Sequence, residues 1–129
     1  MLFRSIVAVT GTNGKSTTTE LIDAIFRAAG KKSVACGNLG RPLCEVAPLS
    51  GGLDYAVAEV SSFQLETIET FRPRVAVYLN LTPDHLDRYA DMKEYASAKN
   101  RIFQNQTSGD LAVIQKGLKL PVQIGRAHV

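Results

Sequence analysis

Apolar residues in this chain gather in short runs separated by stretches with helical spacing. Ile6–Thr10 is a β-branched run that stops at Gly11, the signature of a buried strand. From Lys15 to Ala29 the period changes: Leu21, Ile22, Ile25 and Phe26 share one helical face, and Gly30 provides the stop. Ser33–Cys36 reads as a second strand, ending at Gly37-Asn38-Leu39-Gly40, and Arg41–Leu49 as a short helix or an irregular stretch. Tyr55–Val60 is the third strand, Ser62–Thr70 a helix, Arg74–Leu79 the fourth strand, Met92–Asn105 a helix and Leu111–Ile114 the last strand.

Strands alternating with helices predict right-handed βαβ units and an α/β fold with a mainly parallel sheet flanked by helices. Ligands of such sheets sit beyond the carboxyl ends of the strands. Polar residues gather just there: GTNGKST after the first strand, GNLG after the second, Glu59 and Ser61-Ser62 at the third, Asn80 to His85 after the fourth. No internal repeat or low-complexity linker divides the chain, so it reads as one unit.

Bulk properties narrow the setting. The 129 residues, 45% hydrophobic and 21% charged, suit one globular domain with its own core. No apolar run approaches the roughly 20 residues of a membrane span and nothing at the start resembles a signal peptide, so cytoplasm is the default and no membrane partner is expected. Cys36 and Cys44 lie in no metal-type or CxxC spacing and are expected as free, core or near-core thiols. A net charge of +3, with no basic cluster longer than Lys31-Lys32, does not call for nucleic acid. The ends are out of character: MLFRS and IGRAHV do not extend the patterns beside them and resemble read-through of sequencing-adapter DNA. Residues 1–5 and 124–129 are therefore expected to be non-native, with the natural chain continuing past both. Discounting Arg4 and Arg126 lowers the charge from +3 to +1.

The stretch VAVTGTNGKSTTTE carries the clearest chemistry. A glycine-rich turn between strand and helix lets backbone N–H groups face an anion, and the helix dipole favours negative charge there. Lys15 has the reach for β/γ-phosphates, and the Ser16 hydroxyl suits Mg²⁺. Gly11 and Gly14 permit a close backbone approach. Val9 stands where the longer P-loop pattern has glycine, so the match is to the short form GxxGKST. The strand before it and the helix after it favour phosphate binding over a merely capped turn.

The other candidates are weaker taken singly. Glu59 ends an apolar strand, where a buried carboxylate is costly unless paired. Mg²⁺ shared with a P-loop hydroxyl would satisfy it, and so would a capping or salt-bridging role. His85, crowded by Asp84, Asp87 and Arg88, suits either a metal or substrate role or an ordinary surface position. Lys99 sits beside the helical face that holds Tyr95, Ala98, Ile102 and Phe103, and by pattern alone reads as a solvated or snorkelling lysine. Lys93 and Arg101 read the same way, and Phe71 and Tyr89 as packing residues.

In order, GTNGKSTTT, GNLGRP, AEVSSFQLE, LNLTPDHLDRY and the Ala-Lys of YASAKNRIF resemble the central ATP-binding domain of the Mur ligases. These are the amide-forming enzymes of peptidoglycan precursor synthesis. SSFQLE with TPDHLDRY is the pattern of the D-glutamate-adding branch. The resemblance implies a P-loop NTPase-like fold and a partial central domain over residues 6–123. It implies that Gly11, Thr12, Asn13, Gly14, Lys15, Ser16 and Thr17 form the phosphate loop for ATP. Ser16 and Glu59 would hold one Mg²⁺, and His85 a second one together with Lys99. Lys99 would be carbamylated by CO₂, a role that only the resemblance supplies. Lys15, His85 and Lys99 are the implied catalytic residues. Asn38, Ser61, Gln64, Asn80 and Arg88 fall on positions lining the substrate cleft.

The implied reaction joins D-glutamate to UDP-N-acetylmuramoyl-L-alanine through an acyl phosphate, in a monomeric, cytoplasmic full-length enzyme. That enzyme would carry a UDP-sugar domain before this region and an amino-acid domain after it. Neither is in this chain, so the isolated piece is expected to have little or no ligase activity. A sister Mur or folylpolyglutamate-type ligase, a nucleotide-binding module without ligase chemistry, and a structural α/β domain with an incidental glycine turn are the competing readings.

Overall fold

A β-branched run with side chains on both faces must be covered on both faces, and the computed structural model, which describes residues 5–38 and 40–118, satisfies this with helices on either side of one sheet. The strands are β1 (Ser5–Thr10), β2 (Ser33–Gly37), β3 (Tyr55–Glu59), β4 (Val75–Tyr78) and β5 (Leu111–Ile114). They pair in parallel in the order β2-β3-β1-β4-β5. The register sets Val9 beside both Glu59 and Val77, and Gly37 beside Glu59. Four strands therefore end together at one edge of the sheet.

The two faces are built differently. On one, the small residues Ala8, Ala56, Ala58 and Ala76 leave room for Tyr78, Leu65, Ile102 and Phe103, all buried. On the other, Val7, Val9 and Val57 receive Ile22 and Phe26 from α1 (Lys15–Ala28). Phe26 also stacks on Tyr55, with ring centroids 4.3 Å apart. Only half of the apolar face expected on α1 is used. Leu21 and Ile25 are 59% and 58% exposed, because each lies one residue, about 100° around the helix, from the line that meets the sheet.

Two further elements depart from the sequence expectation, and a third, Arg41–Leu49, meets it. The helix expected over Ser62–Thr70 is a single turn, α3 (Ser62–Leu65). Side chains from elsewhere claim the carbonyls beyond it: Arg101 donates to Leu65 and Ile68, Gln104 to Ile68, and Asn105 to Glu69 and Phe71. The helix expected to reach Asn105 runs as α4 from Met92 to Asn100 and tightens to a 3₁₀ turn at Arg101–Phe103. Over Arg41–Leu49 there is one helical turn, α2 (Leu43–Val46), followed by a 3₁₀ segment at Ala47–Gly52. Both cysteines are free, but Cys44 is exposed rather than near the core, while Cys36 is buried. No helix among the described residues is long and apolar enough to cross a membrane. Apart from Ser5, the ends read as non-native lie outside the described residues, as does Leu39 of GNLG.

Candidate active site at the strand ends

The loop from Gly11 to Gly14 leaves β1 and enters α1 with little room to spare. A Cβ on Gly11 would stand 3.0 Å from the Leu79 Cβ, and the residue's φ of 152° suits glycine. Gly14, with φ 84°, caps α1 without a side-chain hydrogen bond, and no acidic residue occupies the first turn. The amides of that turn have no intrahelical acceptor by geometry. An uncapped helix start of this kind is an anion site in waiting.

Asn80, at the end of β4, braces this loop. Its Oδ1 accepts from the amides of Thr12 and Asn13 at 2.9 Å each, and its Nδ2 donates to the Asn13 carbonyl at 2.9 Å. The Thr12 hydroxyl is tied in turn: it accepts from the Thr82 amide at 3.0 Å and lies 3.3 Å from the Tyr95 hydroxyl. Lys15 folds back over the loop, its Nζ donating to the Thr12 carbonyl at 3.2 Å.

Ser16 and Glu59 meet directly. The Ser16 hydroxyl donates to Glu59 Oε2 at 2.8 Å, and Glu59 is 4% exposed. Beside them β2 ends in Gly37, where a Cβ would fall 2.1 Å from the Glu59 carbonyl, so no side chain fits. That carbonyl accepts from the Asn38 amide at 2.9 Å, leaving the Asn38 side chain exposed at the sheet edge.

Lys99 is the least expected member. It is 2% exposed, and its Nζ donates to the Gly11 carbonyl at 3.0 Å and sits 4.9 Å from the centre of the Tyr95 ring. Burial first, and the nearby Lys15 charge second, lower its pKa from 10.5 to about 8, with Asp84 opposing. The solvated reading of Lys99 is thus overturned by the fold, which brings α4 back against the Gly11–Gly14 loop. Tyr95 also faces His85, whose ring centroid is 6.1 Å away. His85 has φ 53° and lies edge-on to Phe63 at 4.8 Å, with its amide donating to Asp84 Oδ1 at 2.9 Å. Tyr95 therefore touches the loop, His85 and Lys99 alike, a role its place on an apolar helical face did not reveal.

The remaining predicted residues are engaged within the protein. Ser61 and Gln64 form a reciprocal capping box on α3. Arg88 pairs with Glu66, its Nη2 donating to Oε2 at 2.7 Å, and its guanidinium lies 5.0 Å over the Phe63 ring. Among the described residues no cluster of three or more His, Cys, Asp or Glu is close enough to hold a metal unaided. A cation at Ser16 and Glu59 fits the donor set, a hydroxyl and a buried carboxylate, only if phosphate oxygens and water complete its shell.

Residues 9–120 match the family model described as Mur ligase middle domain. The chain is 59% identical over 109 residues to the UDP-N-acetylmuramoylalanine--D-glutamate ligase of Pelotomaculum thermopropionicum, covering 84% of this chain and 24% of that one. To the enzyme of the same name from Koribacter versatilis it is 47% identical over 121 residues, covering 94% and 27%. The chain thus spans about a quarter of the length of these relatives. Among solved structures, a UDP-N-acetylmuramoyl-L-alanyl-D-glutamate--2,6-diaminopimelate ligase superposes with a TM-score of 0.67 at 28% identity, over 85% of this chain and 26% of that one. The MurF ligase from Thermotoga maritima in complex with ADP superposes at 0.69 and 22% identity, over 85% and 27%, a likeness of fold.

Proposed function

Because the chain belongs to the Mur ligase family, through its middle domain, we propose that it is the nucleotide-binding part of an ATP-dependent, ADP-forming ligase that adds D-glutamate to UDP-N-acetylmuramoyl-L-alanine. It would work in the cytoplasm within a longer three-domain polypeptide. The observation that carries this reading beyond phosphate binding is Lys99: a lysine 2% exposed, held at a carbonyl of the phosphate loop. A buried lysine set at that carbonyl supports a role beyond phosphate binding.

In this reading the amides of the first turn of α1 and the Lys15 ammonium take the β- and γ-phosphates. Asn80 keeps the loop open for them. Ser16 and Glu59 would hold one Mg²⁺, and His85 with a carbamate on Lys99 a second, supplying positive charge to the phosphate oxygens. With its pKa lowered to about 8, Lys99 has a larger share of the neutral amine near neutral pH than an exposed lysine, and that amine adds to CO₂ with loss of a proton. The alanine carboxylate of the acceptor attacks the γ-phosphorus, an O–P bond forms, the bridging P–O bond breaks and ADP leaves. The amine of D-glutamate then attacks the acyl carbon, a C–N bond forms, the C–O bond to phosphate breaks and the amine gives up a proton. The work of this domain is positioning and charge neutralisation, the main part of catalysis in phosphoryl transfer.

The longer enzyme, supplied with substrate ¹⁸O-labelled in the alanine carboxylate, tests the sequence of steps. One labelled oxygen should appear in the released phosphate, and unlabelled phosphate would refute the acyl phosphate.

A further inference from the structure

Two motifs that follow different strands form a single contact unit. Glu66, the last residue of SSFQLE, accepts from Arg88 Nη2 at 2.7 Å and from the Tyr89 hydroxyl at 2.5 Å. Both donors belong to the turn that starts at His85, whose carbonyl accepts from the amides of Arg88 and Tyr89 at 3.0 Å each. The same turn is gripped a second time by α3, through Phe63. Its ring lies under the Arg88 guanidinium, edge-on to His85, and parallel to Tyr89 at 6.0 Å. His85 holds φ 53°, a conformation that a non-glycine residue keeps only where its surroundings impose it.

We propose that Glu66 is a positioning residue for His85: by binding Arg88 and Tyr89 it holds the turn against α3, keeps His85 left-handed, and keeps the imidazole between Phe63 and Tyr95. The consequence for metal binding rests on the reading of His85 as a cation ligand. The Arg88–Glu66 pair contributes little as a stability device, because the Arg88 side chain is 54% exposed and exposed ion pairs are weak, and a glutamine at 66 still accepts from the Tyr89 hydroxyl. Its loss should register in the placement of His85, not in the melting temperature. The contact also explains why SSFQLE and DHLDRY read as a pair. Arg88, assigned by resemblance to the substrate cleft, is engaged in holding this turn.

The test uses the longer ligase with its natural flanks and compares wild type with Glu66→Gln, Glu66→Asp, Arg88→Gln and His85→Ala. The first readout is metal-free: the His85 ring protons, in the ring-current field of Phe63 and Tyr95, followed by NMR. The second is Mn²⁺ binding by EPR in the presence of a non-hydrolysable ATP analogue. Glu66→Gln should move the ring protons toward free-histidine positions and weaken one class of Mn²⁺ at least fivefold, with melting unchanged. Glu66→Asp should restore part of both, and Arg88→Gln should reproduce the effect should Glu66→Gln fold poorly. His85→Ala separates the two layers. If it leaves Mn²⁺ binding unchanged, the ligand reading fails and the ring shifts alone decide the positioning role. If it weakens Mn²⁺ while Glu66→Gln and Arg88→Gln leave shifts and Mn²⁺ as in wild type, the positioning role is overturned.

Discussion

The Ser16 hydroxyl donates to Glu59 Oε2 at 2.8 Å, joining the first turn of α1 to the end of β3. The carboxylate is 4% exposed, withdrawn from water, with a hydroxyl as its hydrogen-bond partner. A bound cation would supply the opposite charge that buried carboxylates pair with. Glu59→Gln should therefore change the stability of the metal-free protein by no more than about 1 kcal/mol, since the amide still accepts from Ser16. It should also weaken Mg²⁺-dependent ATP binding tenfold or more. Calorimetric titration with and without Mg²⁺, beside a thermal melt, gives both numbers.

Asn80 separates bracing from charge. Asn80→Ala removes three hydrogen bonds to the phosphate loop and should cost about 1–3 kcal/mol of stability as well as nucleotide affinity. Asn80→Asp keeps the acceptor for Thr12 and Asn13 but sets a negative charge beside the phosphates. It should be more stable than the alanine variant yet bind ATP more weakly. Urea unfolding and ATP titration of the two variants check the opposite ordering.

The pH dependence of stability has a local source in Asp110. Its buried carboxylate accepts from Arg72 Nε at 2.7 Å and from the Thr107 amide at 2.8 Å, and the Arg72 bond leads in holding its pKa below the usual 3.8. The folded state thus binds its proton less readily than the unfolded chain. The stability it contributes is complete above about pH 4 and is lost as pH falls through the lower folded value. Urea midpoints measured from pH 5 down to pH 2 should fall less steeply in Asp110→Asn, although that variant starts from a lower midpoint.

Lys99 should take up CO₂ at moderate pH. The lowered pKa makes the neutral amine abundant from about pH 8 upward, where an exposed lysine would need pH above 10. With ¹³C-bicarbonate, a carbamate carbon should appear by NMR, grow as pH rises toward 8, and be absent from Lys99→Arg. No signal in wild type would remove the carbamate from the account.

The alternation of short apolar runs and helical spacing is enough to read the parallel sheet and to single out the glycine-rich loop between β1 and α1, because both depend on local pattern. What stayed hidden depends on contacts between distant residues. Nothing near Lys99 in the chain announces that its Nζ meets the Gly11 carbonyl. The carbonyls that end α3 early are claimed by Arg101, Gln104 and Asn105, more than thirty residues on. Leu21 and Ile25 fit the helical period yet face outward, since period alone does not say which part of an apolar face meets the sheet. The sequence places Tyr95 on an apolar helical face and Glu66 at the end of SSFQLE, but an aromatic on a helix and a glutamate after a short turn are commonplace until their partners are known.

The most direct measurement follows ADP release by the longer ligase given UDP-N-acetylmuramoyl-L-alanine and, in turn, D-glutamate, L-lysine, meso-diaminopimelate and L-alanine. Release with D-glutamate alone, abolished by Lys15→Ala and by Lys99→Ala, is the predicted result. Release with another amino acid, or none with any despite intact ATP binding, would contradict the assignment.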